Sequence, residues 1–395
     1  MSPAVIAALV ASASVAIGAP PAAAAPDCKT VPSPIYVTGS TAAKPLLAAI
    51  GKVMAGQTPP STVVYLGQGS CTGPGAILSG TPIVGAGLSY WDSSGSELAC
   101  DLVTPGVMAH VGVSDVFATT CFQLPGGLPA SVSDVLGPVQ AMTFVTNTSS
   151  AERAISAEAA YNIYGFGAQS GVPPWTFEAS IFRRDALSGT QQMIAAAIGV
   201  PAERWKGTAT TSSGDLLALV GAANFPDASI GILSAEVAQE NRATIKVLAY
   251  QNFGQGCAIL PDTNATANDK ANVRNGQYPI WGPLHLFLPV DASGYAVNAK
   301  AGELVGYLAG TRPTPAGVDL LAIEAQRHAV PQCAMRVRRV QEMGPALPFA
   351  PAGACGCYYE KVANGAASAS CKACATAAAC PASAPACSYG YCEPQ

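Results

Sequence analysis

The stretch Phe182-Arg183-Arg184-Asp185-Ala186-Leu187-Ser188-Gly189-Thr190 organises the reading of the whole chain. Ile181 and Phe182 read as the end of a buried strand, and Met193, Ile194, Ala197 and Ile198 then recur at helical spacing. A strand, a short polar turn and a helix start aim backbone N–H groups and the positive helix end at one point, where an oxyanion would sit. Arg184, four residues before Ser188, adds a permanent charge whose fork of donors suits phosphate or carboxylate. A salt-bridged arginine beside an ordinary Ser/Thr cap would look the same, so this motif alone leaves both readings open.

Two further stretches repeat the arrangement. In Ile35-Tyr36-Val37-Thr38-Gly39-Ser40-Thr41-Ala42-Ala43-Lys44-Pro45, residues 35–38 read as a strand and Gly39 as a tight turn. Pro45 fits the first turn of a helix whose apolar stripe is Leu46, Leu47, Ile50, Val53 and Met54. Thr41 then offers a hydroxyl and an N–H at a helix start, beside the N–H of Ala42. In Val63-Val64-Tyr65-Leu66-Gly67-Gln68-Gly69-Ser70-Cys71-Thr72-Gly73, a strand meets a Gly/Ser turn before a helix-compatible segment around Ala76-Ile77-Leu78. Here Ser70 is the hydroxyl placed at the anion. Gly-Ser turns usually only punctuate structure; three of them, one with an arginine, point to an oxyanion site assembled from helix ends.

These motifs, in this order, resemble the PstS-type periplasmic phosphate-binding proteins, the solute receptors of phosphate ABC importers. That family has a strand followed by Gly-x-x-Thr-x-x-x-Pro, then Tyr-x-Gly-x-Gly-Ser, then Ser-Asp closing a strand, then Arg-x-x-x-Ser-Gly-Thr. This chain has Gly39 to Pro45, Tyr65 to Ser70, Val113-Ser114-Asp115, and Arg184 to Thr190. Ala228 to Leu233 and Asn275 to Ile280 resemble later family segments, so the likeness spans roughly residues 33–345. The resemblance implies an α/β, two-lobed periplasmic binding protein fold of type II, with the ligand cleft between lobes. It implies a phosphate held by Thr41, the Ala42 amide, Ser70, Asp115, Arg184, Ser188, and the amides of Gly189 and Thr190. A carboxylate at Asp115 accepts a hydrogen bond from a protonated phosphate but repels fully ionised sulfate. A turn or cap carboxylate is the other reading of Asp115.

The chain departs from the family pattern between Ser70 and Asp115. Residues 71–114 form a longer interval than usual, with a Ser/Gly-rich segment from Tyr90 to Ser96. Cys71 follows Ser70 directly, and Ala42 stands where the family often has a large apolar side chain. Arg183 precedes Arg184, so the arginine assignment rests on spacing to Ser188.

Alternating strand-like and helix-like segments argue α/β architecture independently of the resemblance. Candidate strands lie around 35–38, 62–66, 142–146, 180–183, 230–233 and 245–249; candidate helices lie around 154–164, 190–199, 212–223, 299–309 and 316–328. After a signal peptide read over 1–25 from its composition, the resemblance divides the chain into lobe I over 26–125 and 284–344, and lobe II over 126–283. Leu124-Pro125-Gly126-Gly127-Leu128-Pro129 and Trp281-Gly282-Pro283 are the expected hinges.

At 395 residues the chain can bury a sizeable core. Charged residues make up 11% and the formal net charge is −4, which gives no broad basic surface for nucleic acid. An apolar run from Ala4 to Ile17 precedes Ala22-Ala23-Ala24-Ala25, the pattern of a secretory signal without a basic n-region. No later segment reaches the roughly 18 consecutive apolar residues of a membrane span. The expected location is therefore exported, periplasmic or at the cell surface.

Cysteine usage agrees with export. Of the 13 cysteines, six (28, 71, 100, 121, 257, 333) are spread through the body, an even count that fits three disulfides. The remaining seven, at 355, 357, 371, 374, 380, 387 and 392, fall in an Ala/Ser/Gly-rich tail over 345–395. That tail has no apolar core, so cross-links must hold it. Three disulfides with one cysteine over is one reading; a metal knuckle at Cys371-x-x-Cys374 is the other.

No catalytic machinery stands out. His110, His285 and His328 lie in no catalytic motif, and no Gly-x-Ser-x-Gly elbow surrounds Ser70 or Ser188. There is no metal-binding carboxylate cluster and no P-loop, so neither an enzyme, a cofactor nor a metal is expected. The expected function is capture of inorganic phosphate for import, with an ABC permease as a possible partner. Two alternatives remain: an exported surface-interaction protein that keeps the fold and uses its tail, or a receptor for another oxyanion.

Overall fold

The computed structural model describes residues 25–394, so the export signal expected over 1–25 lies outside the described residues except for Ala25. Short runs of β-branched and aromatic residues become strands, and the segments with helical spacing between them become helices. The first half runs β1 (Pro34–Gly39), α1 (Lys44–Ala55), β2 (Thr62–Gly67), α2 (Thr72–Ser79), β3 (Ile83–Trp91), β4 (Glu97–Val107), β5 (Val111–Ser114), α3 (Ala118–Cys121) and β6 (Val132–Asn147). Next come β7 (Ala154–Ser156), α4 (Ala157–Phe166), β8 (Phe182–Arg184), α5 (Gly189–Ile198), β9 (Thr208–Thr210), α6 (Ser213–Gly221), β10 (Gly231–Ser234), α7 (Ala235–Glu240), β11 (Ile245–Val247), β12 (Ala249–Gln251) and α8 (Ala271–Arg274). The last part holds β13 (Trp281–Pro289), α9 (Ala299–Leu308), α10 (Leu320–Gln326), β14 (Val337–Arg338), β15 (Leu347–Pro348), α11 (Gly356–Asn364), β16 (Ala386–Ser388) and β17 (Tyr391–Glu393).

One mixed sheet carries the architecture, in the order β10-β6-β13-β5-β1-β2-β3-β4, with β11 also on β6. β1 pairs in parallel with β2 and β5, whereas β13 runs antiparallel to both β5 and β6. Two large apolar cores flank this sheet. One gathers Ile35, Leu47, Ile50, Val63, Val113, Leu286 and Leu304; the other gathers Phe144, Tyr164, Met193, Ile194, Ile232 and Tyr250. Residues past Leu320 also enter the second core through Ala325, Val330, Ala334 and Met335, because Val330 bridges to Val139 of β6.

β6 and β13 belong to both halves. Val132 to Leu136 pair with His285 to Pro289 beside β5, while Met142 to Val145 pair with β10 in the second half. Their register shifts between Pro283 and His285, where Gly137 and Pro138 face them. A proline cannot donate to a ladder, so this is where the pair bends most easily.

The long interval 71–114 is α2 followed by a β3–β4 hairpin that extends the sheet outward from β2. Its Ser/Gly-rich segment is the hairpin turn, with Asp92 Oδ1 accepting from the N–H groups of Ser94 and Ser96, both at 2.9 Å.

The disulfide pattern corrects the cysteine count. Cys28–Cys100 and Cys71–Cys121 lie within the body, but Cys333 pairs with Cys355 of the tail. The tail closes its own three bridges, Cys357–Cys371, Cys374–Cys387 and Cys380–Cys392. The unpaired cysteine is Cys257, exposed on the body, rather than a tail residue. The metal knuckle is overturned as well: Cys371 and Cys374 are each oxidised with a different partner, so neither offers a thiolate. The sulfurs of Cys374, Cys380 and Cys387 cluster within 4.8 Å only because two disulfides lie side by side.

α11 is joined to the body by more than its disulfide. Arg274 donates from Nη1 to Glu360 at 2.8 Å and from Nε to the Ala334 carbonyl at 2.9 Å, and lies 5.3 Å from the Tyr359 ring centroid.

Candidate functional site

The three strand–turn–helix loops converge between the two cores. Thr41, Ser70 and Asp115 come from the ends of β1, β2 and β5; Arg184, Ser188, Gly189 and Thr190 come from β8 and the start of α5. Gly39 lets the first loop turn sharply: its φ is +131°, and a Cβ there would lie 1.9 Å from the Val113 carbonyl oxygen. Gly189 permits the closest approach, since a Cβ on it would fall 2.2 Å from Ser70 Oγ and 2.9 Å from Asp115 Cβ. The Cys71 N–H donates to the Leu187 carbonyl at 3.0 Å, so the two sides of the cleft touch through backbone as well.

Asp115 is buried, with one carboxylate oxygen accepting from Ser40 Oγ at 2.6 Å and the other from Ser70 Oγ at 2.8 Å. Burial raises its pKa, against the pull of those two hydroxyls and of the Arg184 and His285 charges. The turn-or-cap reading of Asp115 finds no support here, because its partners are side chains from two other loops. Ser40 Oγ also accepts from the Ala42 N–H at 3.2 Å, and the Tyr65 hydroxyl donates to the Ser40 carbonyl.

Arg184 is 1% exposed. Its Nη1 donates to Thr41 Oγ1 at 3.2 Å and to Ser213 Oγ at 3.0 Å, and its Nη2 donates to the Thr211 carbonyl at 2.8 Å. Its Nε–H has no acceptor, and the nearest carboxylate oxygen, on Asp185, is 3.9 Å from Nη2. Desolvation lowers its pKa, with Asp185 and Asp115 pulling the other way. A cation sunk this deep on hydroxyls and a carbonyl lacks a close counter-charge, and burying a charge without one is costly.

α5 begins as its sequence predicts. Ser188 Oγ accepts from the Gln191 N–H at 3.5 Å, and Met193, Ile194, Ala197 and Ile198 face the second core. The Gly189 and Thr190 N–H groups of the first turn have no helical partner, and an anion at this end of the helix gains from its dipole.

Two contributors escaped the sequence reading. Ser40 sits inside the first quoted motif, but nothing in its spacing sets it apart from Thr41. Ser213 opens α6, 29 residues after Arg184, and stands 3.3 Å from Thr41 Oγ1 across the cleft. A Ser-Ser pair at a helix start was the available signal.

Of the histidines, His285 pairs with Asp134 at 2.8 Å, and His110 Nδ1 lies 3.3 Å from the Tyr36 backbone nitrogen. Both are part of the sheet's internal bonding.

No protein-family profile and no curated protein matches this chain. Solved structures do. One is the X-ray structure, with bound phosphate, of a protein assigned as a phosphate ABC transporter substrate-binding protein from Clostridium perfringens. It is 14% identical, with a TM-score of 0.51, and the match covers 76% of this chain and 99% of that one. An ABC-type phosphate transport receptor from Vibrio cholerae is 12% identical over 76% of this chain and 100% of that one, at a TM-score of 0.47. A phosphate-binding protein from Stenotrophomonas maltophilia is 14% identical over 76% and 90%, at 0.45. The first of these, together with the mixed sheet between two cores, gives this chain the two-lobed α/β fold of the periplasmic binding proteins, with a disulfide-rich C-terminal tail added.

Proposed function

We propose that this chain is a non-enzymatic, extracytoplasmic solute-binding protein that captures inorganic phosphate between its lobes for ABC-type import. The observation that carries the reading is Arg184: a guanidinium 1% exposed, with an unpartnered Nε–H, at a point where three loops meet. A phosphate there would accept from Arg184, from Thr41 and from the amides at the start of α5, including Gly189 and Thr190. Ser188 and the Ala42 amide complete the proposed set. Ser70 has one hydroxyl proton, now donated to Asp115, so engaging the ligand requires that bond to be exchanged. Asp115 would then accept a proton-bearing phosphate oxygen, which sulfate lacks.

Lobe closure would work through the strands common to both halves. We place the hinge where β6 and β13 lose register, beside the expected Trp281-Gly282-Pro283. Six disulfides among the described residues favour an oxidising compartment. No helix of the described residues is long and apolar enough to cross a membrane.

A thermal-shift titration of the ligand-stripped protein with phosphate and sulfate in parallel tests this. Ligand at a hundredfold over its dissociation constant adds about 2.7 kcal/mol. The expected result is a shift with phosphate and none with sulfate. A shift with both would point to a broader oxyanion receptor. No shift with either would overturn the phosphate reading in favour of a surface-interaction protein.

A further inference from the structure

A cavity built jointly by body and tail lies apart from the cleft and shares none of the proposed phosphate residues. It is a groove of about 680 Å³ between the α9–α10 connection and the tail segment that follows β15. Glu324, on α10, lines it and is only 4% exposed. Its carboxylate accepts no hydrogen bond from any described residue, and burial alone pushes its pKa well above the usual range. Arg312, the single cation on the wall, makes no ion pair with Glu324. With no donor among the described residues, this carboxyl is open to a donor that enters the groove.

The rest of the wall fits a donor that is also positively charged. Asp319 adds a second carboxylate, held in place by accepting from the Ala322 N–H at 2.9 Å and from the Tyr358 hydroxyl of α11. Tyr389 lines the groove and stacks on Tyr358, with ring centroids 5.6 Å apart. Two carboxyls beside an aromatic wall suit an ammonium or guanidinium head, which gains from both charge and ring faces. We propose that this groove is a second ligand site, for a small compound carrying an ammonium or guanidinium group, with Glu324 as its anionic partner. It also gives the tail a role: Tyr389, and the segment after β15, form one side of the site. The inference stands independently of phosphate binding in the cleft.

Isothermal titration of the whole mature protein tests it, using cadaverine, agmatine and an end-capped lysine-containing peptide, with 1-pentanol and glucose as neutral controls. Two buffers of different ionisation enthalpy are used, neither of them phosphate nor a primary amine. Saturable binding of a cationic compound is expected, with proton release, because Glu324 gives up its proton when the cation arrives. Preference for the small compounds over the peptide identifies a free solute; the reverse identifies a protein side chain as the source. Glu324→Gln should weaken binding by about tenfold or more and abolish the proton release. Tyr389→Ala, at a residue 53% exposed and therefore safe for folding, should weaken binding by several-fold. Absence of binding by every cationic compound, equal binding of the neutral controls, or unchanged affinity in folded Glu324→Gln would each overturn the proposal.

Discussion

Around Phe144 the body buries Tyr164, Ile194, Ile232 and Tyr250 to 0% exposure without any cystine among them, whereas residues 361–394 of the tail bury only Cys392 and Glu393. The body's chain is long enough to cover both faces of a sheet, and apolar burial scales with that length. In the tail, two three-residue strands and a single helix cannot do the same. Its three internal bridges, at separations of 14, 13 and 12 residues, replace the missing core by restricting the unfolded chain. The tail therefore depends on its bridges for want of a core, whereas the body adds Cys28–Cys100 and Cys71–Cys121 to a core it already has.

The sharpest way to break that contrast is mild reduction. Each tail bridge contributes about 3 kcal/mol, so losing all three should unfold residues 361–394 while the body stays intact. Limited proteolysis with mass spectrometry should find new cuts confined to the tail. A protease-resistant tail after complete reduction of its bridges would contradict the account.

The junction comes next. Arg274 pairs with Glu360 while 3% exposed at its side chain, so Arg274→Ala leaves a partly buried carboxylate unpaired. The expected loss is about 3–5 kcal/mol, read by urea denaturation, with faster hydrogen exchange in α11. A loss under about 1 kcal/mol would reduce the junction to its disulfide, Cys333–Cys355.

A smaller effect distinguishes the body by pH. Burial, above all, pushes Glu236 and Glu342 up to about 7 from 4.5. Above pH 4.5 the native body thus keeps protons that the unfolded chain has lost. Their stabilising contribution is complete below that pH and disappears as pH rises through about 7. His328, lowered to about 4 chiefly by burial, works in the opposite direction, but only below pH 6.5. Between pH 6.5 and 8.5 the body should therefore lose about 1–2 kcal/mol, and Glu342→Gln should reduce that loss. Stability rising over this interval would contradict the assignment.

Much of the site region was legible because it depends on local order. A strand, a short turn and a helix start recur around Thr41, Ser70 and Ser188, with a glycine in the first two turns and a side-chain cap, Ser188, on the third helix. What escaped depends on distance in sequence. The β3–β4 hairpin was read as an insertion because Gly85, Gly87 and Pro105 interrupt its alternation and its register slips twice. Only the 142–146 part of β6 was recognised, since Gly137 and Pro138 break the first half. Cysteine parity misled for a similar reason: an even count in the body does not say that Cys333 lies 5.2 Å, Cα to Cα, from Cys355 and leaves Cys257 alone. Ser213 reaches Arg184 only through the fold.

Calorimetric titration of phosphate into wild-type protein and Arg184→Ala tests the central claim most directly. Removing the buried guanidinium where the three loops meet should weaken binding by about a hundredfold or more while circular dichroism still reports a folded body. Equal affinity in the two proteins would show that the anion, if bound at all, is held somewhere other than the meeting point of the three loops.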